Sequence, residues 1–363
     1  MYISSLTLTD FRNYSQEKIE FSPGTNLIYG NNAQGKTNIL EAVYLFAHGR
    51  SHRAKTDKEL IRFGCEFASL TADFHDAVRD YSANIRLIKN GKKNITINHV
   101  KINKLSMLMN YLNAVMFSPE DLELVKGSPS SRRRFIDSAI SQLYPGYLVS
   151  LIEYNKALLQ KNSLLKAFRS SPKNAYSMLE VWNEQLAQTG SKIMDYRIKF
   201  IASLNEFACI IQKEISDEKL NIQYLPGIKT DNIDKETLFD FLQNRCEREI
   251  EIGSAQYGIQ RDDISISIND REAKTFGSQG QQRTAALSLK IAQADYIKSI
   301  KDEYPVLLLD DILSELDYKR RMYLLEKIKD KQVLITGTDS DLKTNVTDTV
   351  LFYAENGTIT KQQ

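Results

Sequence analysis

The feature that most constrains this chain is Gly30-Asn31-Asn32-Ala33-Gln34-Gly35-Lys36-Thr37. It fits the pattern G-x-x-x-x-G-K-[ST], and its surroundings fit as well. Leu27-Ile28-Tyr29 reads as a short buried strand before it, and Ile39, Val43 and Phe46 line one face of a helix after it. Glycines in such a turn let backbone N–H groups curl around an anion where the helix begins. Lys36 is placed to reach the outer phosphates of a bound polyphosphate, and the Thr37 hydroxyl to hold Mg²⁺.

Composition bounds the rest. At 363 residues there is room for two or three folding units, and 42% hydrophobic with 26% charged residues is the balance of an ordinary globular chain. The 48 Lys and Arg against 46 Asp and Glu leave +2, so bulk charge argues for no polyanionic partner, and any basic surface must be local. Cys65, Cys209 and Cys246 stand far apart with no CxxC pair, which suggests neither a disulfide framework nor a zinc site but unpaired thiols in a reducing compartment. The first ten residues lack the basic and continuously apolar regions of a secretory signal, and no stretch approaches the ~18 apolar residues of a membrane span, so a cytoplasmic location is expected.

The first hundred residues read as strands around one helix. Ile3, Leu6 and Leu8, and later Ile85, Leu87, Ile95 and Ile97, fall near period two, with Asn90-Gly91 as a hairpin turn. From about Ser131 to Ile215 the period changes: Trp182, Leu186, Thr189, Ile193, Arg197, Phe200, Leu204, Phe207 and Ile211 recur every three or four residues, with Gly190 as the weak point. A long helix over about Ala175 to Ile215 is predicted, with Tyr147 to Phe168 antiparallel to it. After Gly258 the α/β pattern returns: a strand at Ile264 to Ile268, a helix from Arg283 to Ile297, a buried strand at Val306 to Leu309, a helix near Tyr318 to Ile328 and a strand at Val333 to Ile335. The last dozen residues carry no signal. The expected organisation is one discontinuous α/β domain, residues 1–118 with 258–363, and a helical insertion over 119–257.

Three further segments carry chemistry. Val306 to Leu309 ends in Asp310-Asp311, the form of an acid pair that closes a phosphate site: Asp310 as the Mg²⁺ ligand and Asp311 as candidate general base. Phe276-Gly277-Ser278-Gln279-Gly280-Gln281-Gln282-Arg283 opens the helix leading to that pair, with Ser278 as N-cap and Gln281 completing a capping box. Small residues and free N–H groups at a helix start also suit a second phosphate contact, through Ser278, Gln279 and Gly280. Placed before the acid pair, this segment resembles the signature of ABC-type ATPases, which presents its helix end to the γ-phosphate held by another subunit. Ser314-Glu315-Leu316-Asp317 resembles the D-loop of the same family, and read plainly is a loop with Asp317 capping the next helix.

The segment Pro119 to Asp137, with its Arg132-Arg133-Arg134 run, is similar to a hallmark of the RecF family of bacterial recombination mediators; Phe11-Arg12-Asn13-Tyr14, Phe276 to Arg283 and Asp310 to Asp317 resemble the same family in the same order. The resemblance implies an ABC/SMC-type ATPase head: a phosphate-loop lobe I with a mixed sheet, an inserted helical lobe II and no long coiled-coil arm. It also implies ATP and Mg²⁺ as cofactors, weak hydrolysis, an ATP-dependent homodimer, and binding to duplex and gapped DNA and to single-strand/double-strand junctions. RecR and RecO are the implied partners, with RecA served indirectly, in recombinational repair, replication restart and SOS induction. On this reading Gly30 to Thr37 hold ATP, Thr37 and Asp310 hold Mg²⁺, Asp311 activates water, and Ser278 and Gly280 reach a partner's phosphate.

The chain departs from these families in places. Asp311 stands where transporters and SMC heads have Glu, which implies slow turnover. The switch histidine of transporters is missing, Ile335-Thr336-Gly337-Thr338 standing in its place, with Thr336 or Thr338 as substitute. A family segment resembling Gly-Pro-His-Arg-Asp-Asp is here Gly258-Ile259-Gln260-Arg261-Asp262-Asp263, without its Pro and His. Candidate DNA contacts are Arg50, His52, Arg53 and Lys55, and Arg132 to Arg134. The rival readings are a transporter ATPase, opposed by Pro119 to Asp137, Asp311 and the missing histidine; an SMC arm protein, whose heptad arms the insert is too short to hold; and a small-molecule kinase, which leaves the signature and D-loop unexplained.

Overall fold

The computed structural model describes residues 1–103, 105–168, 175–230, 232–338 and 349–362. Its contacts divide the chain into two compact units: Met1–Leu122, Ile211–Asp217 and Arg283–Gln363 form the first, and Glu123–Ile210 with Glu218–Gln282 form the second.

The first unit opens with β1 (Tyr2–Phe11), β2 (Tyr14–Glu20), β3 (Thr25–Tyr29) and α1 (Lys36–His48), followed by β4 (Phe67–His75), β5 (Asp80–Ile88), β6 (Asn94–Ile97), β7 (Val100–Ile102), α2 (Leu105–Leu108) and β8 (Ala114–Phe117). An antiparallel sheet takes the order β2-β1-β4-β5-β6-β7. Its alternating residues Leu6, Leu8, Ile85, Leu87, Ile95 and Ile97 are all buried, and Ile85 pairs with Ile95 across the hairpin that holds Asn90-Gly91. Ile3 is out of step with Leu6, and a register shift between Ile3 and Ser5 brings both to the buried face.

In the second unit come α3 (Glu123–Lys126), α4 (Pro129–Leu143), α5 (Pro145–Phe168), α6 (Ala175–Ser216) up to Ile210, β9 (Leu220–Leu225), α7 (Lys235–Gln243), α8 (Cys246–Ile252), β10 (Asp263–Ile268), β11 (Arg271–Glu272), α9 (Ala273–Phe276) and the start of α10 (Gln279–Lys301). The long helix and its antiparallel partner are both present. Tyr147 meets Arg197, Tyr154 meets Gly190 and Leu165 clusters with Leu179, so numbering falls along α6 as it rises along α5. Gly190 lets the Tyr154 ring come close: a Cβ there would stand 3.4 Å from the ring edge.

The boundary after the insertion differs from the expected one. Residues 258–282 join the second unit, because β10 pairs antiparallel with β9 and because Arg132 of α4 holds Asp263 with two hydrogen bonds, of 2.6 and 2.7 Å. Beside it Arg197, 2% exposed, donates to Asp262 at 2.5 Å, Asp137 at 2.7 Å and the Ile259 carbonyl at 2.9 Å. Tyr224 and the Gly227 N–H also donate to the Asp262 carboxylate.

The chain completes the first unit with β12 (Val306–Asp310), α11 (Ile312–Glu315), α12 (Tyr318–Ile328), β13 (Val333–Gly337), β14 (Val350–Glu355) and β15 (Thr358–Gln362). A second sheet has the order β15-β14-β3-β13-β12-β8, parallel throughout except for the β15 edge. Val306 to Leu309 are buried on both faces, as strands inside a covered parallel sheet must be. One core cluster joins Leu6 and Leu8 of the first sheet, Ile39, Val43 and Phe46 of α1, and Leu308 and Leu334 of the second sheet. The β14–β15 hairpin lies where no signal was read; its turn is Asn356-Gly357, both residues left-handed at φ 49° and 74°. No helix among the described residues is long and apolar enough to cross a membrane.

Removing one partner of a buried ion network leaves the others desolvated without compensation. Arg197→Ala is expected to lower the stability of the second unit by about 3–5 kcal/mol in urea unfolding, whereas Arg134→Ala, on the exposed side of α4, leaves the transition in place.

Candidate functional site

The loop from Gly30 to Gly35 joins β3 to α1 through conformations that side chains resist. Gly30 has φ 145° and Gly35 φ 102°, and a Cβ at either would stand 2.4 Å from a neighbour: the Ala354 carbonyl for Gly30 and the Asn13 side chain for Gly35. Asn31, Asn32 and Ala33 are exposed at its crown. Lys36 is folded back into the loop, its Nζ donating to the carbonyls of Gly30 at 2.6 Å and Asn31 at 2.9 Å. Burial pushes the Lys36 pKa down, and the charges of Asp311 and Asp310 oppose the shift.

Neighbouring segments prop this loop. Asn13 donates to the Gln34 carbonyl at 3.0 Å, Tyr14 to the Gly35 carbonyl at 3.0 Å, and the Asn356 N–H to the Gln34 side chain at 2.6 Å. Arg12 grips Glu41 on α1 through hydrogen bonds of 2.8 and 2.7 Å, and Glu41 also accepts from Ser51. The Phe11-Arg12-Asn13-Tyr14 segment, a mark of resemblance in the sequence, is therefore a mechanical support. Its chemistry was not legible there because its partners lie elsewhere in the chain.

The acids meet the loop from the sheet. Thr37 Oγ1 donates to Asp310 Oδ1 at 2.8 Å, and Thr336 Oγ1 donates to the same oxygen at 2.7 Å. The Asp311 N–H donates to Thr336 Oγ1 at 3.0 Å. Asp311 is left-handed at φ 49°, and its side chain does not cap the helix α11 that it precedes. Burial, then the neighbouring Asp310, pushes the Asp311 carboxyl above the ordinary carboxylate range, with Lys36 pulling the other way. Lys36, Thr37, Asp310 and Asp311 are thus brought together in the first unit. A hydroxyl and a carboxylate at hydrogen-bond distance are hard oxygen donors suited to Mg²⁺, since Thr37 can turn its lone pairs outward while its proton stays on Asp310.

Ser278, Gln279 and Gly280 belong to the second unit. There the expected capping box is formed: Gln281 N–H donates to Ser278 Oγ at 3.2 Å, and Ser278 N–H to Gln281 Oε1 at 2.8 Å. Ser278 and Gln279 are exposed at the start of α10. Asp317 caps α12 as read, accepting from the Arg320 N–H at 3.0 Å.

The candidate DNA contacts sort themselves by burial. Arg132 is 7% exposed and its guanidinium is committed to Asp263, while Arg133 donates to the Asp262 carbonyl at 2.7 Å. Arg132 is therefore part of an internal network and not a surface cation. His52 lies half-buried, edge-on to Tyr44 with ring centroids 5.1 Å apart, and burial pushes its pKa down. Arg50, Arg53, Lys55 and Arg134 remain exposed.

Comparison with known proteins places this arrangement. Residues 2–361 match the RecF/RecN/SMC N terminal domain family. A protein of Clostridium novyi (strain NT) called DNA replication and repair protein RecF is 42% identical over 363 residues, covering 99% of each chain. The protein of that name from Clostridium acetobutylicum is 44% identical over 342 residues, 93% of each chain. Among solved structures, one described as the recombination mediator protein RecF-ATPrS in the RecFOR pathway superposes with a TM-score of 0.93 at 34% identity, covering 100% of this chain and 98% of the other. An Smc head domain from Pyrococcus furiosus gives a TM-score of 0.57 at 17% identity over 99% of this chain and 96% of its own, a likeness of fold alone. The two sheets clasping α1, the propped loop and the acid pair at the end of β12 are features of an ABC/SMC-type ATPase head, and the chain belongs to the RecF family.

Proposed function

We propose that this protein is an ATP-dependent DNA-binding ATPase of recombinational repair, a recombination mediator that closes as a homodimer on Mg-ATP at gapped DNA and junctions. The observation that carries the reading is the hydrogen bond from Thr37 to Asp310, which joins the loop motif to the acid motif across the sheet. RecF relatives named for DNA replication and repair, and RecF structures described with ATP and with the RecFOR pathway, support the biological setting. On that reading RecO and RecR are its partners and RecA loading its outcome.

The chain's own groups account for the chemistry. Backbone N–H groups of Gly30 to Gly35 surround the phosphates, and Lys36 exchanges its carbonyl partners for β- and γ-phosphate oxygens. Thr37 and Asp310 would hold the metal, which when bound would neutralise charge on the outer phosphates. Asp311 takes a proton from the attacking water as the new bond to phosphorus forms and ADP leaves with the old bond's electron pair. A carboxyl raised by burial is a better proton acceptor than an exposed one, but Asp is shorter than Glu and holds the water less firmly, so turnover is slow. Ser278, exposed at the start of α10, and Gly280 of a second copy complete the γ-phosphate contact. Because that contact exists only in the closed dimer, ATP shifts the equilibrium toward closure and hydrolysis reverses it.

Binding of a gapped duplex, measured without nucleotide, with ADP and with a slowly hydrolysed ATP analogue at two salt concentrations, tests the whole reading. DNA affinity and sedimenting mass rise together only with the analogue, and affinity falls with salt because phosphate contacts release counterions; a dimer that ignores DNA at both salts removes the DNA role. For the assigned residues, Lys36→Ala abolishes ATP binding. Asp311→Asn binds normally but accumulates as a closed dimer, and wild-type hydrolysis by that variant removes Asp311 from the site. The acid limb of the kcat/KM profile reports the free protein, so it falls at a pH above the ordinary carboxylate range, activity being lost as pH drops through the raised Asp311 value.

A further inference from the structure

The structure assigns Thr336 as the positioning residue of the acid pair: its single hydroxyl fixes the Asp310 carboxylate and, at the same time, the turn that aims Asp311. This rests on the catalytic reading of those two acids given above. Thr336 lies on β13, 1% exposed, as the register partner of Asp310 on β12. Its proton goes to Asp310 Oδ1 at 2.7 Å, a charged and nearer acceptor than the Leu309 carbonyl at 3.5 Å. Its lone pair receives the Asp311 N–H at 3.0 Å. A hydroxyl has one proton to give, so the two bonds orient each other.

The second bond matters because Asp311 leaves the strand in a left-handed conformation, φ 49° and ψ 16°, which a residue with a Cβ adopts less readily than glycine, so a bond to its N–H helps to fix it. Thr336 supplies that hold through the N–H, so the Asp311 side chain is not spent on capping α11. On Asp310, Thr336 and Thr37 share Oδ1, which fixes the plane of the carboxylate from two directions. Thr336 spends its hydroxyl on the acids and acts through them.

Valine keeps the shape of threonine and loses both bonds; serine keeps both. With the full chain, Thr336→Val is expected to hydrolyse ATP at least tenfold more slowly while binding a fluorescent ATP analogue within threefold of wild type. Thr336→Ser should restore at least half of the rate. Hydrogen exchange of the Asp311 amide, followed by NMR without nucleotide, should quicken about tenfold in the valine variant and not in the serine variant. Thr336→Ala, which lacks the same hydroxyl, repeats both measurements if the valine variant does not fold. Hydrolysis by Thr336→Val within twofold of wild type, a serine variant as slow as the valine one, or unchanged amide exchange would each overturn the assignment while leaving the ATPase reading intact. If wild type itself hydrolyses no ATP, the ATPase reading falls and the assignment with it.

Discussion

One carboxylate oxygen ties the candidate site together. Asp310 Oδ1 accepts hydroxyls from Thr37 and Thr336, and the order β3-β13-β12 in the sheet explains why these three residues meet. The strand that delivers the loop and the strand that ends in the acids are not neighbours; β13 runs between them. A residue at the end of β13 therefore sits between the two motifs, and a small residue with a hydroxyl there can bridge what the sheet keeps one strand apart. A charge-assisted bond in a half-buried setting is strong enough to make such a bridge a constraint on geometry and not an ornament. Below it, α1 is held by apolar contacts from both sheets, so the loop's exit direction is fixed by the core.

Much of this was legible in the sequence, for identifiable reasons. The loop carries its own chemistry in adjacent residues, the parallel strands are apolar on both faces, and α6 repeats its inward residues over about eight turns, so local pattern sufficed. The capping box at Ser278 and the N-cap at Asp317 were readable because donor and acceptor lie three residues apart. What stayed hidden was everything whose partner is distant. Asn13, Tyr14 and Asn356 support the loop from segments that show no periodic sign of doing so. Thr336 looked like a stand-in for a missing residue, and only the strand order shows what its hydroxyl does. The β14–β15 hairpin around Asn356-Gly357 does not show in the sequence, because the strands beside that turn are short and mixed.

The basic run Arg132-Arg133-Arg134 shows the opposite limit. Three adjacent arginines on a helix point in different directions, and their neighbours decide their roles. Arg132 and Arg133 face the Asp262-Asp263 pair, and only Arg134 faces solvent. Asp262 anchors Arg197 of α6 and Asp263 anchors Arg132 of α4, so the segment that lacks the family's Pro and His still performs an architectural task with its two Asp residues.

The sheet order also sets a timetable. β3, which delivers the phosphate loop, is flanked by β13 and β14, made more than three hundred residues after it. At roughly 5–20 residues per second, an emerging chain waits tens of seconds between making the loop and making the strands that hold it in place. During that interval β3 has neither of its neighbours in the sheet, and the loop that follows it also lacks its Asn356 support. The loop thus gains its native shape late, only once the C-terminal strands have been made.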